Sequence, residues 1–407
     1  MPKPLSLAPT LLLAALATLL AAPAPAQGRG DDPDYEEFDE ACPYTKGERE
    51  LEKKLGYARI GSMPWRGSAD SKAVRENCGG VPMIFVETEH FRIASTLNTY
   101  RIPNDRDERK RLKEELDRLE DKLGRLKAPK RELDPWIRVH LFAQRIEDTY
   151  QEFHEDWGID PSSYAAQGPY LGLPNKFLVL LCERKSEYGR YLKIYENSEI
   201  EYSYRTGWSG EGMIVCVSSE AIAENWKDEK DVPLDTMLSC LVRCCLAANF
   251  IDVWNGNLFR APIWLVYGYA HVVQRRFDPR FPFFDGRTTI YGLDDDKTVW
   301  QPRVRNLVGN DYFASMNKMF GWSAYGDLNQ RDHMVSWSKV TYLLEEVDGD
   351  REAFLTAVCP RARYGSEPDA EAKITAQAEA LEARFGLTPA GMDEAWSRWV
   401  KKTYSKK

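Results

Sequence analysis

Apolar residues recur along this chain with two different periods, and the longest helical pattern runs from Pro233 to Arg276. Leu234, Met237, Leu238, Leu241, Val242, Cys245 and Leu246 fall at helical spacing and predict one buried helix, with Asp235 or the residues just before it as its cap. Asp252-Val-Trp-Asn-Gly-Asn257 then predicts a turn, because Asn-Gly accepts positive φ cheaply. Pro262 sits where a second helix can begin, with Trp264, Leu265, Tyr267, Ala270, His271 and Gln274 following. Upstream the period changes. Pro82–Ala94 alternates, with Phe85, Glu87, Glu89 and Phe91 on one side. Lys176–Cys182 is a continuous apolar run suited to a sheet interior, and Gly212–Val217 is a further strand.

Leu112, Leu116, Leu119, Leu123 and Leu126 make an apolar seam on the charged stretch Arg106–Leu126. With only about two heptads present, the seam predicts a helix laid on its own domain and not a coiled coil between chains. Pro135–Phe153 is a second helix, and shorter ones are expected at Lys46–Leu55 and Glu187–Tyr195. Phe277–Asn310 reads as irregular, and helices are expected at Asn310–Met319, Gln330–Val347, Arg351–Val358, Ala370–Phe385 and Met392–Tyr404. Order and pattern give an α+β fold with a small sheet and a mostly α-helical C-terminal part.

The first residues change the cellular reading. Lys3, the apolar stretch Leu5–Leu20 and Ala24-Pro-Ala26 have the parts of a secretory signal, so 1–26 is expected to direct export to the periplasm or the exterior. Retention as an anchor is the alternative. Loss of Lys3 takes the formal charge from -8 to -9, which gives no reason to expect nucleic acid or an anionic membrane as partner. No membrane span is expected after the signal. The remaining chain divides into an acidic leader at Gln27–Glu40, a cysteine-containing appendage within 27–80, an α/β part at 81–230 and a helical part at 231–405. Cys42 and Cys78 in that appendage either close a disulfide or remain two thiols.

Chemistry is sparse. Cys240 and Cys244, four apart on one helix, could in principle join His271 around a metal, although cysteine is also a common core residue. Arg243 between them either faces outward, the reading the pattern favours, or is buried and needs an acid or an anionic ligand. His90 on a strand has no partner motif, Asp294-Asp-Asp296 lacks calcium-loop spacing, and Ser336-Trp-Ser-Lys339 lacks the companion motifs of penicillin-interacting enzymes.

The phrase Pro262-Ile-Trp-Leu-Val-Tyr-Gly-Tyr-Ala270 resembles the second core helix of gluzincin-type, peptidase-MA-like zinc peptidases of secreted bacterial proteins. Pro262, Trp264, Leu265, Gly268 and Ala270 match, as does the order of strands before a buried helix pair. The resemblance implies a zincin-like core with HExxH on the first helix and a glutamate ligand on the second. Here Cys240-Leu-Val-Arg-Cys244 stands in the best register for HExxH, placing Leu241 at the base position, with a register one residue later as the alternative, and Tyr267 replaces the glutamate. No HExxH occurs anywhere, so zinc is not expected as a cofactor. The expectation is a secreted pseudopeptidase that binds a protein, peptide or glycan in a cleft near Cys240, Arg243, Cys244, Tyr267 and His271. Alternatives are a hydrolase with a Cys/His metal site, and an envelope protein that binds glycan or protein through Tyr202–Trp208.

Overall fold

A computed structural model describes residues 41–124, 126, 129, 131–164, 166–200, 203–208, 212–226, 231–256, 260–283, 299–361 and 369–406. The proposed signal and leader, Tyr202, the side chain of Trp208 and Asp294–Asp296 lie outside them. The described strands are β1 (Arg59–Ile60), β2 (Pro64–Arg66), β3 (Ala69–Asp70), β4 (Ile84–Glu87), β5 (Phe91–Ser95), β6 (Tyr100–Arg101), β7 (Glu132–Leu133), β8 (Phe177–Cys182), β9 (Tyr204–Trp208) and β10 (Gly212–Ser218). The helices before the last of these strands are α1 (Arg49–Leu55), α2 (Ser71–Asn77), α3 (Arg106–Leu123), α4 (Pro135–Trp157) and α5 (Lys185–Tyr191). After β10 come α6 (Ser219–Ala223), α7 (Leu234–Val253), α8 (Ile263–Phe277), α9 (Trp300–Gly309), α10 (Met316–Phe320), α11 (Gln330–Glu345), α12 (Arg351–Val358), α13 (Ala370–Phe385) and α14 (Pro389–Thr403). The fold is α+β with a helical C-terminal part.

The main sheet has the order β1-β4-β5-β8-β10-β9. Its centre, β5-β8-β10, is parallel, and both flanks are antiparallel. The apolar run Phe177–Cys182 becomes the strand β8, buried on both faces, because helices cover both. On one face Val179, Leu181, Val215 and Val217 join the core that contains α4, α7 and α8. On the other, Leu178, Leu180, Ile214 and Cys216 pack with Val74 of α2 and Tyr188 and Tyr191 of α5. The segment expected as an appendage is therefore built into the sheet. β1 pairs with β4, and Met63, Trp65 and Val74 fill the outer face.

That arrangement also decides between the two cysteine readings, in favour of two thiols. Cys42 and Cys78 are both buried free thiols, and they sit in cores on opposite faces of the sheet. Cys42 Sγ lies 3.4 Å from His140 Nε2, whereas Cys78 lies among the α2 and α5 side chains. The leucine seam of α3 packs inside the chain, against Ile137 and Leu141 of α4. Part of the segment read as irregular forms α9, which buries Trp300, Val304 and Val308 at four-residue spacing. Its neighbours Pro279, Pro282, Gly286 and Gly292 had masked that pattern.

Gly268 is needed where α8 crosses α11. A Cβ there would lie 2.6 Å from Val340 Cγ2 and 2.9 Å from the Ser336 carbonyl. Gly268→Ala is therefore expected to push the two helices apart and lower stability by about 1–3 kcal/mol, read as a lower urea midpoint. An unchanged midpoint would show that the crossing is looser than this.

Candidate functional site

The helices α7 and α8 form an antiparallel pair, and their connection follows the expected turn chemistry. Asn255 and Gly256 adopt positive φ, 54° and 70°, and Pro262 is the cap from which α8 starts. Asp235 is not the cap of α7. It lies inside the first turn, where its carboxylate accepts from Arg138 of α4, Oδ1 at 2.5 Å and Oδ2 at 3.1 Å.

In such a pair, residues equally far from the connection face one another. Tyr267 lies four residues after the start of α8, so its counterpart is Asn249, four before the end of α7. Cys240 and Cys244 lie deeper along α7 and meet the far end of α8 and the chain beyond it. Cys240 Sγ points to the Asp278 carbonyl at 3.8 Å and Cys244 Sγ to the Phe283 carbonyl at 3.6 Å. Burial pushes the Cys240 thiol up to about 12, so it is held protonated in this core. Leu241 is a buried core residue. Of the residues expected to line one cleft, Tyr267 and His271 share a neighbour, His333, whereas Cys240, Cys244 and Arg243 make contacts elsewhere.

Arg243 is buried, contrary to the outward reading. It donates to Thr149 Oγ1 at 2.8 Å and to the Glu152 carboxylate, both on α4, and lies over the Phe277 ring. A guanidinium in a helix interior needs such a partner, and α4 supplies it. His271 faces α11, where its Nε2 is 3.0 Å from Nδ1 of His333, with Trp300 edge-on at 5.0 Å. Among the described residues, no group of three His, Cys, Asp or Glu side chains could hold a metal ion. Ser336 and Lys339 are buried. Lys339 is committed to Asp393 at 2.5 Å and to the Ala314 carbonyl, a tie between helices. His90 is held by Glu147 at 2.6 Å and stacked on Tyr150.

Tyr267 meets residues that spacing along the helices did not single out. Its hydroxyl accepts from Arg205 Nη2 at 3.4 Å. The same guanidinium donates through Nη1 to Asn249 Oδ1 at 2.9 Å and to Asp252 Oδ2 at 2.5 Å. Arg205 belongs to β9, an outermost strand of the sheet, so Tyr204–Trp208 is an edge strand facing this helix pair. Asn249 is fully buried, and among the described residues its Nδ2 has no acceptor. Tyr325 and His333 close the other side of the Tyr267 ring. Asn249 and Asp252 were visible in the sequence as polar breaks in an apolar helix. Arg205 carried no signal, because nothing along the chain links it to α7. Comparison of the chain with family models, curated proteins and solved structures returns no match.

Burial holds His271 neutral, well below its ordinary value of 6.5, with His333 and Arg275 acting in the same direction. An imidazole that is neutral when folded and protonates when unfolded favours unfolding as pH falls below 6.5. His271→Gln keeps a polar group within reach of His333 and removes that proton uptake. The loss of stability on acidification from pH 6.5 should become shallower by about 1.4 kcal/mol per pH unit in urea titrations. An identical slope in both proteins would mean that His271 is protonated in the fold.

Proposed function

We propose that this is an exported, peptidase-like protein that binds a peptide without cutting it, with the Arg205 guanidinium standing where a catalytic metal would. One observation carries the reading: Asn249 and Asp252 on the first helix and Tyr267 on the second converge on a single positive group from the sheet edge. A cation at that point neutralises Asp252 as a metal would, but it offers no open coordination position and cannot activate water as a Lewis acid does. The Pro262–Ala270 phrase and the helix pair packed beneath a sheet support the comparison with zinc peptidases.

Binding is supported by the edge strand. Among the described strands, β9 pairs only with β10, leaving its outer edge for an added extended segment. Arg205 lies within that strand and so ties it to the helix pair. The Cys/His metal hydrolase has less support, since Cys240 and Cys244 face the chain after α8 while His271 faces α11.

The test uses the mature chain without a metal-binding tag, loaded with zinc and dialysed exhaustively, together with a peptide library. The expected result is no retained zinc, no cleavage, and peptide capture weakened about tenfold by Arg205→Gln. One tightly held equivalent of zinc with zinc-dependent cleavage would overturn the proposal.

A further inference from the structure

A separate pocket of about 530 Å³ opens between α8, α9, α11 and α14. Its volume falls within the range of small-molecule sites. Its aromatic lining comes from three places in the chain: Trp300 on α9, Trp337 on α11, and Trp399 with Tyr404 at the end of α14. These rings hold one another in place. Trp337 stacks on Tyr404 at 5.8 Å between ring centres, while Trp300 meets Trp337 edge-on at 5.6 Å and Trp399 meets Tyr404 edge-on at 5.0 Å. An added ring can pack against such preset surfaces offset or edge-on, and gains more than its buried area alone would give.

The charged groups on the lining are already engaged. Arg275 lies over the Trp300 and Trp337 rings, 4.2 and 5.0 Å from their centres, and donates through Nη1 to the Pro279 carbonyl at 3.2 Å. Arg276 is paired with Asp156 and Glu152, and Glu345 approaches it at 3.8 Å. Arg280 is paired with Asp105 and Asp278. Thr341 gives its hydroxyl to the Trp337 carbonyl at 2.8 Å. A ligand carrying a charge of either sign would have to break one of these interactions, or lie against aromatic surface without a partner. A neutral ring system meets neither cost.

We propose that this pocket is a binding site for a neutral, planar, fused-ring aromatic molecule, held by ring contacts with the tryptophans and without an ion pair. The same chemistry is offered by a free ring compound and by a tryptophan side chain of a peptide.

The test is calorimetric titration of the full chain with 2-naphthylmethanol, with its charged counterparts 2-naphthoate and 2-naphthylmethylammonium, and with its saturated decahydro analogue. The aromatic alcohol should bind saturably, about tenfold or more tighter than either charged compound and several-fold tighter than the saturated one. Thr341→Trp and Thr403→Trp fill the pocket from two different helices, and each should abolish binding, with melting curves confirming that each variant is folded. N-acetyl-tryptophanamide separates the sources. Its binding extends the site to peptide side chains, and binding of naphthylmethanol alone confines it to free ring compounds. No saturable binding of naphthylmethanol, a charged or saturated analogue that binds as tightly, or binding that survives both filling substitutions would overturn the proposal. Arg205→Gln should leave this binding intact, so the two sites stand or fall separately.

Discussion

The position of α7 is set by guanidinium groups along its contact with α4. Arg138 reaches Asp235 at the start of α7, Arg145 donates to Ser239 one turn later while paired to Glu115 of α3, and Arg243 returns from α7 to Thr149 and Glu152. Apolar packing alone would tolerate rotation or sliding of two buried helices, since Leu and Val contacts carry little direction. Charged hydrogen bonds do not tolerate it. Removing one partner of a buried pair costs about 3–5 kcal/mol, so a slipped register that broke several at once would be strongly disfavoured. Because α8 is packed along α7 and α11 along α8, the position of Tyr267 against Asn249 descends from this contact.

The sequence made the elements legible and left their meetings open. Periodicity located β8, the α3 seam and the α7–α8 pair, since each follows from spacing within one segment. Arg243 was misread because a single charge on an apolar helix looks like an outward residue until a partner on another helix is known. Cys42 and Cys78 share a segment, yet the sheet passes between them. Tyr267 was matched with cysteines by family-like spacing. The short connection, which fixes what faces what in a hairpin, gives Asn249 and Asp252 instead. Arg205 joins them only once the sheet order places β9 at the edge.

Two environments thus lie along one helix. Near its start, α8 contributes Tyr267 to a polar cluster against the sheet edge, and near its end it contributes Arg275 to an aromatic pocket. Between them the His271–His333 contact joins α8 to α11 in surroundings that exclude water. Such a spine is stiff, because the buried His271–His333 contact and the close approach at Gly268 both resist sliding.

The apolarity of α7 has a consequence for the chain before it folds. Leu234–Gly256 has the length of a membrane span and contains an 18-residue window with a mean hydropathy of 1.5, although every residue of that window is buried in the folded protein. Under the export proposed above, a translocation channel would meet this segment unfolded and sort it by partitioning into lipid, without regard to the core it later occupies. Arg243 sits near its middle, where a positive charge raises the cost of insertion by about 2.5–3.5 kcal/mol. Under that proposal, the residue that fastens α7 to α4 would also bias the passing chain away from the bilayer, and an apolar replacement would alter its routing before it altered its fold.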